Sequence, residues 1–359
     1  MPPALLQKEA RSEPSYSSRG TRYPNNPFRI LTASTVNFTV HCVNTLAVVF
    51  EEPTRLSVRE LTLAQPAPAD VVVAMHYSGI STGTEKLLFT GRMPPFPGLG
   101  YPLVPGYEGV GRILEAGATS GREPGQLVYV PGSKGFNEAR GLFGGQASRV
   151  VVPGAKTIPL ADHVGEKGAL FALAATAHHC LEPDPGRHLD KLPGLIVGHG
   201  ALGRLIARLC VLYGAPAPVV WETNPIRMGG ARGYTVIHPD DDTTRGYQVI
   251  CDVSGADGIM DALVNKLMPG GEIVLGGFYS EPVSFTFPPA FLREARIRIA
   301  AQWKEQDLIA ISEFANNGTL DLDGLITHRE PAARAADAYA TAFGDPHCVK
   351  MILDWRSAA

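Results

Sequence analysis

Six residues, Gly198-His199-Gly200-Ala201-Leu202-Gly203, place a G-x-G-x-x-G at the end of a short apolar run, Leu195-Ile196-Val197. That spacing suits the binding of a pyrophosphate. Gly198 allows the tight turn, Gly200 lets the backbone approach the phosphates, and Gly203 lets the strand and the following helix pack closely. The helix N-terminus adds unpaired N–H groups and a positive dipole end. In a chain with 39 glycines the spacing alone is cheap, so its surroundings must carry the assignment. Leu202, Leu205, Ile206, Leu209 and Leu212 fall three or four apart, the apolar stripe of a helix that stops at Gly214. A second strand, Val219-Val220-Trp221, ends at Glu222, whose carboxylate suits a ribose 2′-OH and repels a 2′-phosphate. NAD is therefore expected rather than NADP. Arg227, one turn on, is also expected near the adenosine, where it would suit a phosphate; the better-placed Glu222 should prevail.

The elements around this stretch fall into two kinds. Before it, short runs at Thr45 to Phe50, Leu56 to Leu61, Val71 to Tyr77, Gly109 to Leu114, Leu127 to Val130 and Ala147 to Val152 alternate with Pro and Gly punctuation. Many short strands with turn signals predict a β-rich, barrel-like domain over 44–167. From Gly168 onward, helix and strand alternate. LFALAATAHHCL reads as an apolar helix, and further helices are expected near Pro225 to Arg232, over Ile259 to Leu267 and over Asp307 to Asn316. Strands are expected around Val236, at Tyr247 to Val253, at Glu272 to Gly277, at Arg296 to Ala301 and at Val349 to Trp355. This alternation predicts an α/β doubly wound parallel sheet over 168–304, with 305–359 as a final segment. Ser254 and Gly277, at the carboxyl ends of two of these strands, are expected along the cofactor.

Residues 1–43 are polar, rich in Ser, Pro and Arg, and without periodicity, so they are expected to be a disordered extension or an upstream addition to the reading frame. A chain beginning at Asn44 should keep its stability and activity. The 359 residues allow two cores, and 45% hydrophobic with 19% charged residues is ordinary globular composition. A net charge of −3 leaves no electrostatic footprint for nucleic acid. Five scattered cysteines form neither a C-x-x-C nor a disulfide framework, which fits a reducing cytoplasm. No apolar run reaches the roughly 20 residues of a membrane span.

With these residues in place, the chain resembles the medium-chain dehydrogenase/reductase family from about Asn44 to Trp355. The segments that carry the likeness are SGISTGTE (Ser78 to Glu85), TGRMPPFPG (Thr90 to Gly98), YPLVPGYE (Tyr101 to Glu108), VWETNP (Val220 to Pro225), GGFYSEP (Gly276 to Pro282) and FGDPHCVKMILDW (Phe343 to Trp355). The resemblance implies a GroES-like β-barrel catalytic domain first and a Rossmann NAD-binding domain second, with the last fifty or so residues returning to the catalytic domain. It puts Thr176 near the nicotinamide and a dimer-forming edge at Arg296 to Trp303, hence a homodimer. Within the family the segments resemble a branch that uses NAD to oxidise the 3-(1-hydroxyethyl) group of a magnesium bacteriochlorophyllide to 3-acetyl. Two rivals remain open: a zinc-free quinone or enoyl reductase, and a non-catalytic dinucleotide-binding protein.

Zinc-dependent members of the family carry a cysteine before Gly-Thr-Asp and a histidine in Gly-His-Glu. Here those places read Ser81-Thr82-Gly83-Thr84-Glu85 and Gly106-Tyr107-Glu108, and the third ligand position falls near Ala172. Catalytic zinc needs three N, S or O ligands, so no metal is expected. Proton transfer then falls to Tyr107, Glu108 or Thr82, with His178 of the pair His178-His179 as a further candidate base or an axial ligand to a chlorin magnesium. A wide apolar substrate with a propionate calls for aromatic walls and a cation. Met93, Phe96, Phe278, Tyr279, Phe285, Phe287 and Phe291 are expected as walls, with Arg92 or Arg293 at the propionate.

Overall fold

The computed structural model describes residues 44–95, 97–181, 191–279 and 281–358. The expectations for residues 1–43 and for Phe96 lie outside the described residues.

Leu195–Val197 forms the middle of a six-stranded parallel sheet because its three apolar side chains are buried from both faces. The order across the sheet is Thr235–Ile237, Val219–Trp221, Leu195–Val197, Tyr247–Asp252, Leu267–Leu275, Arg296–Ile299. The next two strands in sequence, Val219–Trp221 and Thr235–Ile237, lie on one side of it and the last three on the other, so the winding reverses there. In open α/β sheets such a reversal opens a crevice at the carboxyl ends of the strands, where ligands bind. The nucleotide helix Ala201–Leu212 starts directly from that crevice and buries Leu205, Ile206 and Leu209.

The β-rich part forms a four-stranded and a seven-stranded sheet. The second of these accepts the end of the chain: Met351–Asp354 pairs antiparallel with Asp70–Gly79, placing Leu353 opposite Ser78. Trp355 follows with its ring fully buried and its indole N–H donating to Ser78 Oγ at 2.7 Å. Three successive buried side chains, Met351, Ile352 and Leu353, together with a buried tryptophan that would cost about 3–5 kcal/mol to truncate, hold the return in place.

Helix Phe171–Leu181 ties the two parts together. Its buried Phe171 stacks on Tyr129 of the barrel-like part at 5.8 Å between ring centroids. The same apolar cluster runs on through Leu205, Ile206 and Ile311. A shared core of this kind fixes the walls of the crevice between the parts.

One local expectation is corrected, and one short element was not anticipated. The helix expected near Pro225 to Arg232 is a single 3-10 turn, Pro225–Arg227. Gly230 and Gly233 follow at φ +85° and +78°, and the Arg204 guanidinium takes the carbonyls of Arg227 and Gly229, which a helix would need for itself. Conversely, Phe287–Leu292 is a short helix that begins on prolines at its first turn. No helix among the described residues is long and apolar enough to cross a membrane.

Candidate active site

Each glycine of the G-x-G-x-x-G has its own geometry. Gly198 sits at φ +100°, a backbone region that favours glycine, and a Cβ there would approach Ser254 Cα to 3.1 Å. A Cβ on Gly203 would lie 1.9 Å from the Gly198 carbonyl oxygen, whereas one on Gly200 meets nothing within 4 Å. The first and last glycines therefore serve the packing, and the middle one borders open space at the helix N-terminus, a cradle that fits a pyrophosphate. Leu202 is half-buried on the first helical turn and packs on the bridging core. Ser254 stands beside this turn, and Gly277 lies next to Gly255 and Tyr279. The Ser254 hydroxyl is spent on Asp252 Oδ1 at 2.7 Å, and Gly277 N donates to the Asp252 carbonyl at 3.2 Å.

Glu222 is half-buried at the end of its strand. Its two oxygens each accept one backbone N–H, from His199 at 3.2 Å and Asn224 at 2.8 Å, so the carboxylate is oriented and still has lone pairs for a ribose diol. Arg227 is engaged elsewhere than expected: its Nε donates to the Pro346 carbonyl at 3.1 Å, across to the C-terminal segment. The sequence pattern does not single out His199, yet it is fully buried. Its Nδ1 lies 2.7 Å from the Arg227 carbonyl, an acceptor only, so Nδ1 carries the proton and the neutral ring accepts the Tyr234 hydroxyl at Nε2, 2.9 Å away. Burial lowers its pKa to about 4, with the nearby Arg204 cation acting in the same direction.

The second cluster lies on the barrel-like part. The Tyr107 hydroxyl shares a hydrogen bond with Ser81 Oγ at 2.8 Å and has Thr84 Oγ1 at 3.5 Å. Burial pushes the phenol pKa well up, and the Glu108 charge adds to this. The Tyr107 ring meets Phe143 at 5.4 Å and Trp303 at 6.1 Å, and Trp303 comes from the far side of the nucleotide sheet. Tyr107 thus stands where the two parts meet. Glu85, unremarked in the sequence except as part of SGISTGTE, is fully buried. It accepts Ser81 N at 3.0 Å and the Tyr339 hydroxyl, and burial raises its pKa to about 7.

Other expected site residues have different employment. Glu108 is fully buried in an ion pair with Lys350, whose ammonium also donates to the Ile80 carbonyl at 3.1 Å. A carboxylate held by a buried ammonium is poorly placed to leave it for a substrate proton. Thr82 is exposed, and Thr176 turns its hydroxyl back to the Ala172 carbonyl at 2.9 Å. His178 is corrected from candidate base to packing residue. Its Nδ1 is 2.6 Å from Asp307 Oδ1 and its ring lies 6.1 Å from Tyr213, while His179 Nδ1 is 3.0 Å from Asp307 Oδ2. Tyr213 caps the far end of the nucleotide helix, roughly 18 Å from the phosphate end.

Among the expected walls, Met93 is half-buried on the barrel core and Arg92 is exposed beside it. Phe278 is exposed, while the Tyr279 hydroxyl donates to Asp252 Oδ2 at 2.8 Å. The Phe287 and Phe291 rings meet at 5.6 Å, tilted by 36°, on the outside of the short helix. Arg293 is corrected from propionate partner to backbone clamp, since its guanidinium donates to the Leu267 and Pro289 carbonyls.

Known proteins share this arrangement. Residues 67–162 match the alcohol dehydrogenase GroES-like domain. Over 317 residues, 88% of this chain and 100% of the relative, the chain is 52% identical to the 2-desacetyl-2-hydroxyethyl bacteriochlorophyllide A dehydrogenase of Rhodobacter capsulatus. The chain belongs to the medium-chain dehydrogenase/reductase family. A second family member, the equally named protein of Cereibacter sphaeroides, is 52% identical over 322 residues, again 88% of this chain and 100% of the relative. The fold is shared by a solved short chain alcohol dehydrogenase from E. coli CFT073, complexed with the cofactor NADH. It superposes with a TM-score of 0.73 at 21% identity, covering 87% of this chain and 99% of that one.

Proposed function

We propose that this chain is an NAD-dependent, zinc-independent alcohol dehydrogenase that converts the 1-hydroxyethyl substituent of a magnesium bacteriochlorophyllide to acetyl. The observation that carries this reading is the 52% identity along the full length of two relatives named for that substrate. A nicotinamide dinucleotide fits the cradle at Gly200, and Glu222 favours the ribose of NAD over a 2′-phosphate. The bound cofactor supplies the acceptor for the hydride of the carbinol carbon. The chain supplies the route for the proton. Tyr107 keeps its own proton at neutral pH, so it acts as a relay, oriented by Ser81: as its oxygen takes the alcohol proton, its own passes to Thr84, and from half-exposed Thr84 to water. Zinc independence rests on the donor set. Where zinc-dependent members hold Cys and His this chain has exposed Thr82 and hydrogen-bonded Tyr107, and the third place, Ala172, has no donor at all.

A homodimer belongs to the same reading. Arg296–Ile299 is the outer strand of its sheet, and Ile297 and Ile299 on it are 39% and 74% exposed, an edge that a second copy would cover. The activity is tested by supplying the protein with NAD and the hydroxyethyl bacteriochlorophyllide and following the red absorption band, which shifts as the new carbonyl conjugates with the macrocycle. An unchanged band, beside rapid NADH formation from small alcohols or polyols, would sink the pigment reading.

A further inference from the structure

The chain has three tryptophans, and two have plain structural tasks. Trp221 is buried with its indole N–H on Asp242 Oδ2 at 3.0 Å, and Trp355 is buried with its N–H on Ser78 Oγ. Trp303 differs from both. It is half-buried, and its indole N–H has no hydrogen-bond acceptor among the described residues. Buried tryptophans satisfy that N–H; one left half-open with a free donor has surface and polarity available to a ligand.

Its position is fixed from both sides. Gln302 before it takes φ +52°, in the left-handed region, and Lys304 after it opens helix Glu305–Asn316, with Lys304 N donating to Asp307 Oδ2 at 2.8 Å. One flank of the indole packs on the core that bridges the two parts. Toward the barrel-like part it meets the Tyr107 ring at 6.1 Å, tilted by 40°, and Phe143 stands edge-on to Tyr107 at 5.4 Å. Aromatic rings from both parts therefore flank the Tyr107 phenol, the proton relay of the reading above.

We propose that Trp303 is a specificity-determining residue, its indole stacking on the conjugated macrocycle and so selecting a large flat alcohol over small ones. The proposal rests on the pigment reading above. A π-face is sequence-tolerant but shape-demanding: an extended ring gains by stacking on it, and a two- or four-carbon alcohol gains almost nothing.

The test compares Trp303→Ala, Trp303→Leu and Trp303→Phe with the unchanged protein. Five quantities are measured: KM and kcat for the hydroxyethyl bacteriochlorophyllide, Kd for its acetyl product by absorbance titration, Kd for NAD, and kcat/KM for 2-butanol. Removing an aromatic stacking partner is expected to raise the pigment KM and product Kd roughly ten- to hundredfold. The alanine and leucine variants should both show this, with kcat and NAD affinity within about threefold of the unchanged protein and 2-butanol turnover not reduced; phenylalanine should recover most of the loss. The leucine variant keeps apolar volume without a π-face, so it separates stacking from packing. Pigment binding unchanged in a folded leucine variant, or NAD and pigment affinity lost in step, overturns the stacking role while leaving the pigment reading in place. Unchanged protein that binds NAD but never oxidises the pigment overturns both.

Discussion

Lys350 and Glu108 close a buried ion pair, 3% and 0% exposed, between the segment leading into the last strand and the residue directly after Tyr107. Burial raises the Glu108 pKa and the ammonium opposes that rise. Removing one partner of such a pair strands a charge, so Lys350→Met should cost about 3–5 kcal/mol. The double variant Lys350→Met/Glu108→Leu should recover most of that. Urea midpoints measure both; a single variant as stable as the unchanged protein would show that the pair contributes nothing.

The dinucleotide turn separates packing from ligand contact within one motif. Gly203→Ala puts a methyl group 1.9 Å from the Gly198 carbonyl and should lower stability by about 1–3 kcal/mol. Gly200→Ala meets no protein atom within 4 Å and should melt like the unchanged protein while binding NAD at least tenfold more weakly. Calorimetry and fluorescence titration of NADH distinguish the two; equal melting losses would place Gly200 in the packing as well.

Cofactor choice is expected to turn on Glu222. Charged hydrogen bonds of about 1.5–3 kcal/mol correspond to roughly ten- to 150-fold, so Glu222→Ser should raise kcat/KM with NADP relative to NAD by a factor in that range. Unchanged relative values would remove Glu222 from the ribose site.

His199 gives stability a pH dependence of definite sign. Its folded pKa of about 4 lies below its ordinary 6.5, so between those values the unfolded chain binds the proton and the folded one does not. Stability from this group is therefore full above pH 6.5 and declines as pH falls toward 4. The Tm of the unchanged protein should drop over that window more steeply than that of His199→Asn. Parallel curves would mean that the imidazole is not held neutral.

The packing role of His178 predicts a lowered Tm in His178→Asn, because Asp307 loses one of its two imidazole partners. Its kcat/KM should stay within a few-fold of the unchanged protein. A collapse of kcat at unchanged Tm would restore His178 as a catalytic base.

Local rules settled a good deal of this protein. The run Leu195-Ile196-Val197, the glycine spacing after it and the leucine stripe from Leu202 to Leu212 each obey a short-range constraint, of burial, turn geometry or helical period, and so were legible as a nucleotide-binding unit with Glu222 at its edge. The order of strands and helices likewise announced a parallel sheet behind a β-rich part. Which hydroxyls and carboxylates are free could not be read in this way, since it depends on partners far away in the chain. Glu108 is claimed by Lys350, and Glu85 by Tyr339, 254 positions on. His178 is turned to Asp307, 129 positions away, and Arg227 to Pro346, 119 positions away. Phe287 and Trp303 look alike as aromatics in sequence, yet the first lies on an outer helix and the second at the junction beside Tyr107. Periodicity reports which face of an element is buried, but only the packing of two sheets around a shared helix decides which buried groups meet.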